Sequence, residues 1–322
     1  MRVSILDRSR TRDGESDAEA IAGTVDRAVR AERLGLHRFW VAEHHAVPGI
    51  AGASPTVLLA AIGARTRSIR LGTGGVMLPN HNPLVVAEQA LMLEALTPGR
   101  IDLGIGASLA FTSGIRKALG RTVLHDGEHA AAVEQLRAYL HGTAGVTAKP
   151  RVAPPPLFLL AIKNGLALAA QLGLPAVIGG PALLDTEATS AYFDNFQPGP
   201  FGSEPYLVAS VDVAVADTAD RAKRLLLPEA WALASSRQSG SFAPLLSADE
   251  AQRQLDQAPD TVRGAVARWY RTAITGTPDQ VADEVERLLA RTGAAELMAT
   301  TSTYDRDDLA AADTALAALQ DG

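Results

Sequence analysis

The sequence predicts an α/β fold: a (β/α)8 barrel with insertions after its fourth and seventh strands. Three observations carry that prediction. Short apolar, β-branched runs alternate with longer amphipathic runs along almost the whole chain, the pattern of parallel strands joined by helices. The alternation yields eight strand–helix units, which favours closure into a barrel over an open sheet. A length of 322 residues and an apolar content of 47% suit a barrel with insertions and a large core. No low-complexity linker divides the chain, so residues 1–322 read as one domain.

Strand one covers residues 2–7 (RVSILD). A helix follows over 17–35, where Ile21, Val25, Ala28, Ala31 and Leu34 recur at helical spacing and Gly35 marks the stop. Strand two is 38–43, and the next helix is 54–66, with Ser54 as N-cap and Pro55 at the first helical position. Strand three is 69–78; the helix over 83–96 is halted by Thr97-Pro98-Gly99. Strand four is 101–106, residues 107–126 form a loop or broken helix, and 128–141 is a clear helix. Pro154, Pro155 and Pro156 form a stiff lead-in to strand five, 157–162. A helix at 166–172, strand six at 176–179 and a helix over 183–196 come next. Strand seven is 206–215, followed by a helix over 219–235 and an irregular, partly helical insertion over 236–259. A helix over 277–291, strand eight at 296–302 and a closing helix at 307–319 complete the chain.

Composition narrows the function. There is no cysteine, which excludes disulfides, thiolate metal sites and a cysteine nucleophile. The net charge of −6, with scattered cations, gives no footprint for nucleic acid. No apolar run reaches the roughly 18 residues of a membrane span, and the start of the chain does not read as a signal peptide. A cytoplasmic protein without a membrane partner is the expectation.

In such a barrel the chemistry sits at the C-terminal ends of the strands. Strand two ends in Glu43-His44-His45, which offers an acid/base or ligand-contacting histidine. Side chains alternate along a strand, so Glu43 and His44 are expected on opposite sides. Adjacent histidines do not readily share one ion, and no spaced partner is evident, so no metal site is expected. Strand three carries Gly72-Thr73-Gly74-Gly75-Val76, and paired glycines there fit a bulge, an unusual dihedral or the close approach of a flat ligand. The turn Asn80-His81-Asn82 follows, with Asn82 able to cap the next helix. Gly106 and Ala107 end strand four, and Gly179 and Gly180 end strand six. Glycine at several strand ends suits a wide planar cofactor. No Walker loop, GxGxxG or GxSxG elbow is present.

Several segments together, in order and over nearly the whole chain, resemble the bacterial luciferase-like flavin-dependent monooxygenases. They are RFWVAEHH (38–45), VMLPNHNPLVVAEQ (76–89), LTPGRIDLGIG (96–106), LAAQLGLP (168–175) and GTPDQVADEVERLL (276–289). The resemblance implies a TIM barrel that uses reduced FMN, supplied by a separate flavin reductase, and O2 to oxidise a small organic substrate. It implies a homodimer. It implies that His44 is the active-site histidine near the flavin ring, and that Gly74 and Gly75 form a non-proline cis peptide under that ring. Val76, Gly106, Ala107, Lys163, Asn164, Gly179 and Gly180 complete the expected cofactor contacts.

The sequence departs from the resembled pattern at Ala107-Ser108-Leu109 and at residues 161–165, both near the expected phosphate site. Lys163 with the start of the following helix, or else Arg116 or Lys117, could hold phosphate instead. The departures keep two alternatives open: a deazaflavin-dependent dehydrogenase on the same fold, and a non-catalytic partner subunit. Phe111, Phe201, Phe242, Trp231 and Trp269 are candidates for a substrate pocket, with core packing the commoner use of such residues.

Overall fold

The computed structural model describes residues 1–161 and 164–320, and within it the predicted barrel is closed. Its strands are β1 (Arg2–Asp7), β2 (Arg38–Val41), β3 (Arg70–Thr73), β4 (Val76–Met77), β5 (Ile101–Gly106), β6 (Leu157–Leu160), β7 (Ala176–Gly179), β8 (Leu207–Val211) and β11 (Glu296–Ala299). All pair in parallel, β3 and β4 being two pieces of one barrel strand. The ring closes where Leu71 stands opposite Ile101 and Val76 opposite Ile105.

Two predicted strands are interrupted. The third breaks between β3 and β4 at Gly74 and Gly75, whose peptide bond is cis. The seventh breaks at Asp212. Beyond it β9 (Val213–Val215) leaves the barrel and pairs with β10 (Ile274–Gly276), a strand not read in the sequence. Strands two and eight are shorter at their C-terminal ends than predicted, since residues 42–43 and 300–302 lie in loops; the strand predicted over 157–162 is seen over Leu157–Leu160, and residue 162 lies outside the described residues.

The helices are α1 (Asp17–Arg33), α2 (Pro55–Arg65), α3 (Pro83–Leu96), α4 (Ser113–Ala118), α5 (Glu128–His141), α6 (Gly165–Leu172), α7 (Thr186–Asp194), α8 (Ala219–Ser239), α9 (Ala248–Asp256), α10 (Asp260–Tyr270), α11 (Pro278–Thr292) and α12 (Arg306–Ala318). Ser16 and Glu19 form a reciprocal capping box at the start of α1. Asn82 caps α3 by accepting the Leu84 N–H at 2.9 Å, as expected. Ser54 stands at the cap of α2 but its side chain makes no capping hydrogen bond. The helix predicted over 183–196 begins instead with a 3-10 turn (Gly180–Leu184). The insertion after β8 is more ordered than predicted: α8 runs on to Ser239, and α9 and α10 pack on it through Leu227, Ala230, Val262 and Val266. Among the described residues, no helix is long and apolar enough to cross a membrane.

Strand alternation sorts the side chains. Val3, Ile5, Phe39, Val41, Leu71, Leu103, Leu159 and Leu297 face outward and are buried under the helices. The barrel interior is layered. Near its floor, Arg38 donates to Asp102 at 2.6 Å and to Glu296 at 3.0 Å, and Tyr206 donates to Glu296 at 2.6 Å. Above lie Trp40, Phe158, Val177, Val208 and Met298, with Trp40 and Phe158 edge to face at 5.1 Å.

That middle layer adds a reason for the strand glycines that the sequence did not show. A Cβ on Gly72 would lie 2.1 Å from the Trp40 indole nitrogen, and one on Gly104 would lie 2.1 Å from the Thr73 carbonyl oxygen. A Cβ on Gly74 would meet Leu6 at 2.4 Å, and one on Gly75 the Gly104 carbonyl oxygen at 2.9 Å. The Trp40 ring requires glycine at 72, and the Thr73 carbonyl requires it at 104. Gly180 differs: its φ is +57° and a Cβ there would meet nothing within 4 Å.

Candidate active site

The ends of the strands converge on two linked clusters at the barrel mouth. The first is built on Glu43, directly after β2. Burial raises its carboxyl, but hydrogen bonds from His81 and His45 outweigh this and hold it below the ordinary glutamate value. The His45 Nε2 lies 2.7 Å and the His81 Nε2 2.8 Å from the same oxygen, Oε1. The other oxygen accepts the Met77 N–H at 3.1 Å, which ties β2 to β4 just past the cis peptide. His81 is thus the spaced partner that sequence reasoning missed. The ligand atoms of Glu43, His45 and His81 lie within 4.8 Å of one another, a spacing that can accommodate a divalent cation. The expectation that no such grouping existed is corrected; the signal was the histidine in the turn after strand three.

The second cluster surrounds His44. Glu43 turns toward Met77, whereas His44 lies close to two cations of the loop after β1, Arg8 and Arg10. Burial, then the charges of Arg8 and Arg10, push the His44 imidazole down to about 4, so it is neutral at neutral pH. Its Nδ1 is buried and, among the described residues, has no hydrogen-bond partner. Its backbone N–H is fixed by the Gly52 carbonyl at 3.0 Å.

Glu229 of α8 is the counter-charge to both arginines. It pairs with Arg10 at 2.8 Å and Arg8 at 3.1 Å. Burial raises its carboxyl, but Arg10 and Arg8 overcome that and hold it below its ordinary value. Arg10 also donates to the Gly49 carbonyl and lies over the Phe242 ring at 4.3 Å. Arg8 reaches Asp212, at the break after β8, at 3.4 Å, and Thr300 donates to the same carboxylate at 2.8 Å. Burial, with the Glu229 charge adding and Arg8 opposing, pushes Asp212 up to about 6. Sequence reasoning overlooked Arg8, Arg10, Asp212 and Glu229. Their signals were two arginines immediately after strand one, an aspartate inside an apolar strand, and a glutamate on the apolar side of a helix.

A cavity of about 510 Å³ opens beside this network, between the ends of β7 and β8 and the helices α8 and α10. Gly179, Gly180, Asp212 and Thr300 are on its barrel side, and Trp269 is on its helix side. Of the five aromatic residues singled out from sequence, Trp269 lines this cavity. Phe242 is buried with Val47, Ile50 and Ala232, Phe201 packs on His141 at 4.3 Å, Trp231 packs in the insertion, and Phe111 is exposed.

The remaining expected residues are dispersed around the mouth. Val76 and Gly106 are buried at strand ends, Met77 sulfur lying 3.1 Å from a Cβ placed on Gly106. Ala107 follows β5 directly. Asn164 is exposed at the start of α6, and its side chain makes no capping bond there. Lys163 lies outside the described residues. Arg116 and Lys117 are on α4, within the insertion after β5.

The profile of the family described as luciferase-like monooxygenase matches residues 1–296. The Luciferase-like monooxygenase of Escherichia coli strain K12 is 32% identical over 317 residues, covering 94% of this chain and 92% of its own. The N-acetyl-S-alkylcysteine monooxygenase of Bacillus subtilis strain 168 is 33% identical over 305 residues, covering 89% of each chain. The crystal structure of apo-MsnO8 superposes with a TM-score of 0.90 at 32% identity, covering 99% of this chain and 98% of the other. Sequence and barrel topology agree: this chain belongs to the luciferase-like monooxygenase family.

Proposed function

We propose that the protein is a flavin-dependent monooxygenase of small organic substrates, working with reduced FMN from a separate reductase and with O2. One observation supports this most: a neutral, buried His44, unpartnered at Nδ1, stands at the mouth beside the segment that carries the cis Gly74–Gly75 peptide. A flat ring system seated there would give Nδ1 the partner it lacks. The open surface at Gly180 and the cavity next to it leave room for a ring and a substrate together. At the phosphate end, Lys163, Asn164 and the start of α6 are the residues proposed to hold the anion.

Reduced flavin, when bound, supplies the electrons that activate O2, one atom of which passes to the substrate. The residues of this chain handle charge and protons around that chemistry. Neutral His44 can accept a hydrogen bond or a proton at Nδ1. Arg8 and Arg10 disfavour the imidazolium and favour negative charge developing nearby. Glu229 and Asp212 keep those arginines in place. Glu43 holds His45, His81 and the Met77 N–H together, which fixes the backbone after the cis peptide.

The reading is tested by titrating the protein with oxidised and reduced FMN and following flavin fluorescence, then measuring oxygen-dependent product formation. Micromolar or tighter binding of FMN, with turnover lost in His44→Ala, is the expected result. Full coupled turnover in His44→Ala would remove the assigned role. Failure of both FMN forms to bind would overturn the FMN reading.

A further inference from the structure

We propose that the cavity between α8, α10 and the ends of β7 and β8 is a recognition pocket for organic acids, in which Arg237 and Arg268 bind the carboxylate. The proposal rests on the flavin reading for its role in catalysis, but its binding chemistry stands on the pocket alone.

The argument begins with charge. The inserted helices α8, α9 and α10 carry six arginines. Four of them lie within 4 Å of a carboxylate: Arg221 of Asp308 and Asp217, Arg224 of Asp249, Arg253 of Glu250 and Arg263 of Asp260. Among the described residues Arg237 and Arg268 have no such partner, and both line the same cavity. The chain carries 36 acidic and 30 basic side chains, yet the lining of this cavity sets two arginines against one carboxylate, that of Asp212. Two cations left free on opposite helices of one concave site form an anion clamp, because a guanidinium matches a carboxylate's planar, two-oxygen geometry.

The rest of the lining selects what is attached to the anion. Leu233, Ala234, Ala265 and Trp269 form an apolar wall, with the indole offering a large flat face. The acidic group in the cavity, Asp212, is already engaged by Arg8 and Thr300, so it does not claim Arg237 or Arg268. A volume of about 510 Å³ accommodates a carboxylate with an apolar body of the size of a small aryl or alkyl chain. Binding the acid group between α8 and α10 would leave that body directed toward Gly180 and the ends of β7 and β8, where the oxidation is proposed to occur.

The test is calorimetric titration of the full-length protein with 4-phenylbutyrate and with its neutral isostere 4-phenylbutanamide. The expected result is at least tenfold tighter binding of the acid. In Arg237→Gln/Arg268→Gln that preference should vanish while amide binding and FMN binding stay unchanged; Arg237→Lys/Arg268→Lys should retain part of it. Far-UV circular dichroism checks that each variant is folded. Equal affinity for acid and amide, no binding of either by the wild type, or a preference surviving in the glutamine variant would overturn the proposal. So would parallel loss of FMN binding, which would assign the arginines to the cofactor's phosphate. If FMN does not bind the wild type but the acid preference holds, the flavin reading fails and the acid pocket stands.

Discussion

The Trp40 indole occupies the space that a side chain at Gly72 would need, with 2.1 Å between its nitrogen and a Cβ placed there. These residues sit side by side on β2 and β3, as the register pairs Trp40 with Gly72. Gly72→Ala therefore overpacks the barrel's middle layer and should cost on the order of 3 kcal/mol. Adding Trp40→Leu should recover part of that loss, so the double variant is more stable than the sum of the singles predicts. Denaturant unfolding of the four proteins checks it; strict additivity would refute the coupling.

Glu43→Gln should lower stability by roughly 1–3 kcal/mol at neutral pH, because an amide cannot accept all the hydrogen bonds that the carboxylate holds. The pH dependence has a definite sign. The folded-state pKa of Glu43 is lowered, so its contribution is present above the unfolded value near 4.5 and is lost as pH falls through the folded value. The gap between wild type and variant should therefore narrow on acidification below about pH 4.5. A gap constant from pH 7 to 3 would rule this out.

His44 and Asp212 have opposite linkages to folding. His44 is pushed down to about 4 from its ordinary 6.5, so the unfolded chain takes up its proton first and acidification through that window destabilises the fold. Asp212 is pushed up to about 6 from 3.8, so the folded chain holds its proton and acidification through its window stabilises the fold. The two trends oppose each other where the windows overlap. Relative to wild type, His44→Asn should become more stable on going from pH 6 to 4.5, and Asp212→Asn less stable. Thermal melts across that range read the difference; parallel curves for all three proteins would contradict it.

Arg27 is fully engaged inside the protein, donating to Asp313 at 2.7 and 3.0 Å and to Asp7 at 2.9 Å. Arg27→Ala leaves Asp7 without its cation and Asp313 with only Arg30, at 3.5 Å, and should cost about 3–5 kcal/mol. Arg27→Ala/Asp313→Ala should cost less than the single change, measured by denaturant unfolding.

The barrel was legible because its signal is periodic. Apolar strands such as β5 and β7 stand out against amphipathic helices such as α1 and α11, and closure follows from counting them. What escaped was produced by pairing across long stretches of chain. Nothing local at Glu229 announces that it will neutralise Arg8 and Arg10, more than two hundred residues away in sequence. Asp212 read as one residue of a long strand because it is the single charged residue in an otherwise mostly apolar run, yet the chain leaves the barrel there. His44 was visible through the Glu-His-His run, whereas the histidine joining that run to the next strand, His81, is recognised only once the turn is folded back onto Glu43. The strand glycines were read for an unusual backbone or a flat ligand, and the Gly74–Gly75 peptide is indeed cis, but that Trp40 demands glycine at 72 was visible only in the fold.

Glu229 makes the inserted helices electrically part of the mouth they cover. A chimaera that exchanged the segment from α8 to β10 for that of a relative would change more than the walls of the pocket. Unless the donor segment brought a carboxylate to the same place, Arg10 would lose its counter-charge and Arg8 would keep only Asp212, at 3.4 Å, so more uncompensated positive charge would stand beside His44 and the recipient barrel would inherit a different protonation chemistry along with its new specificity.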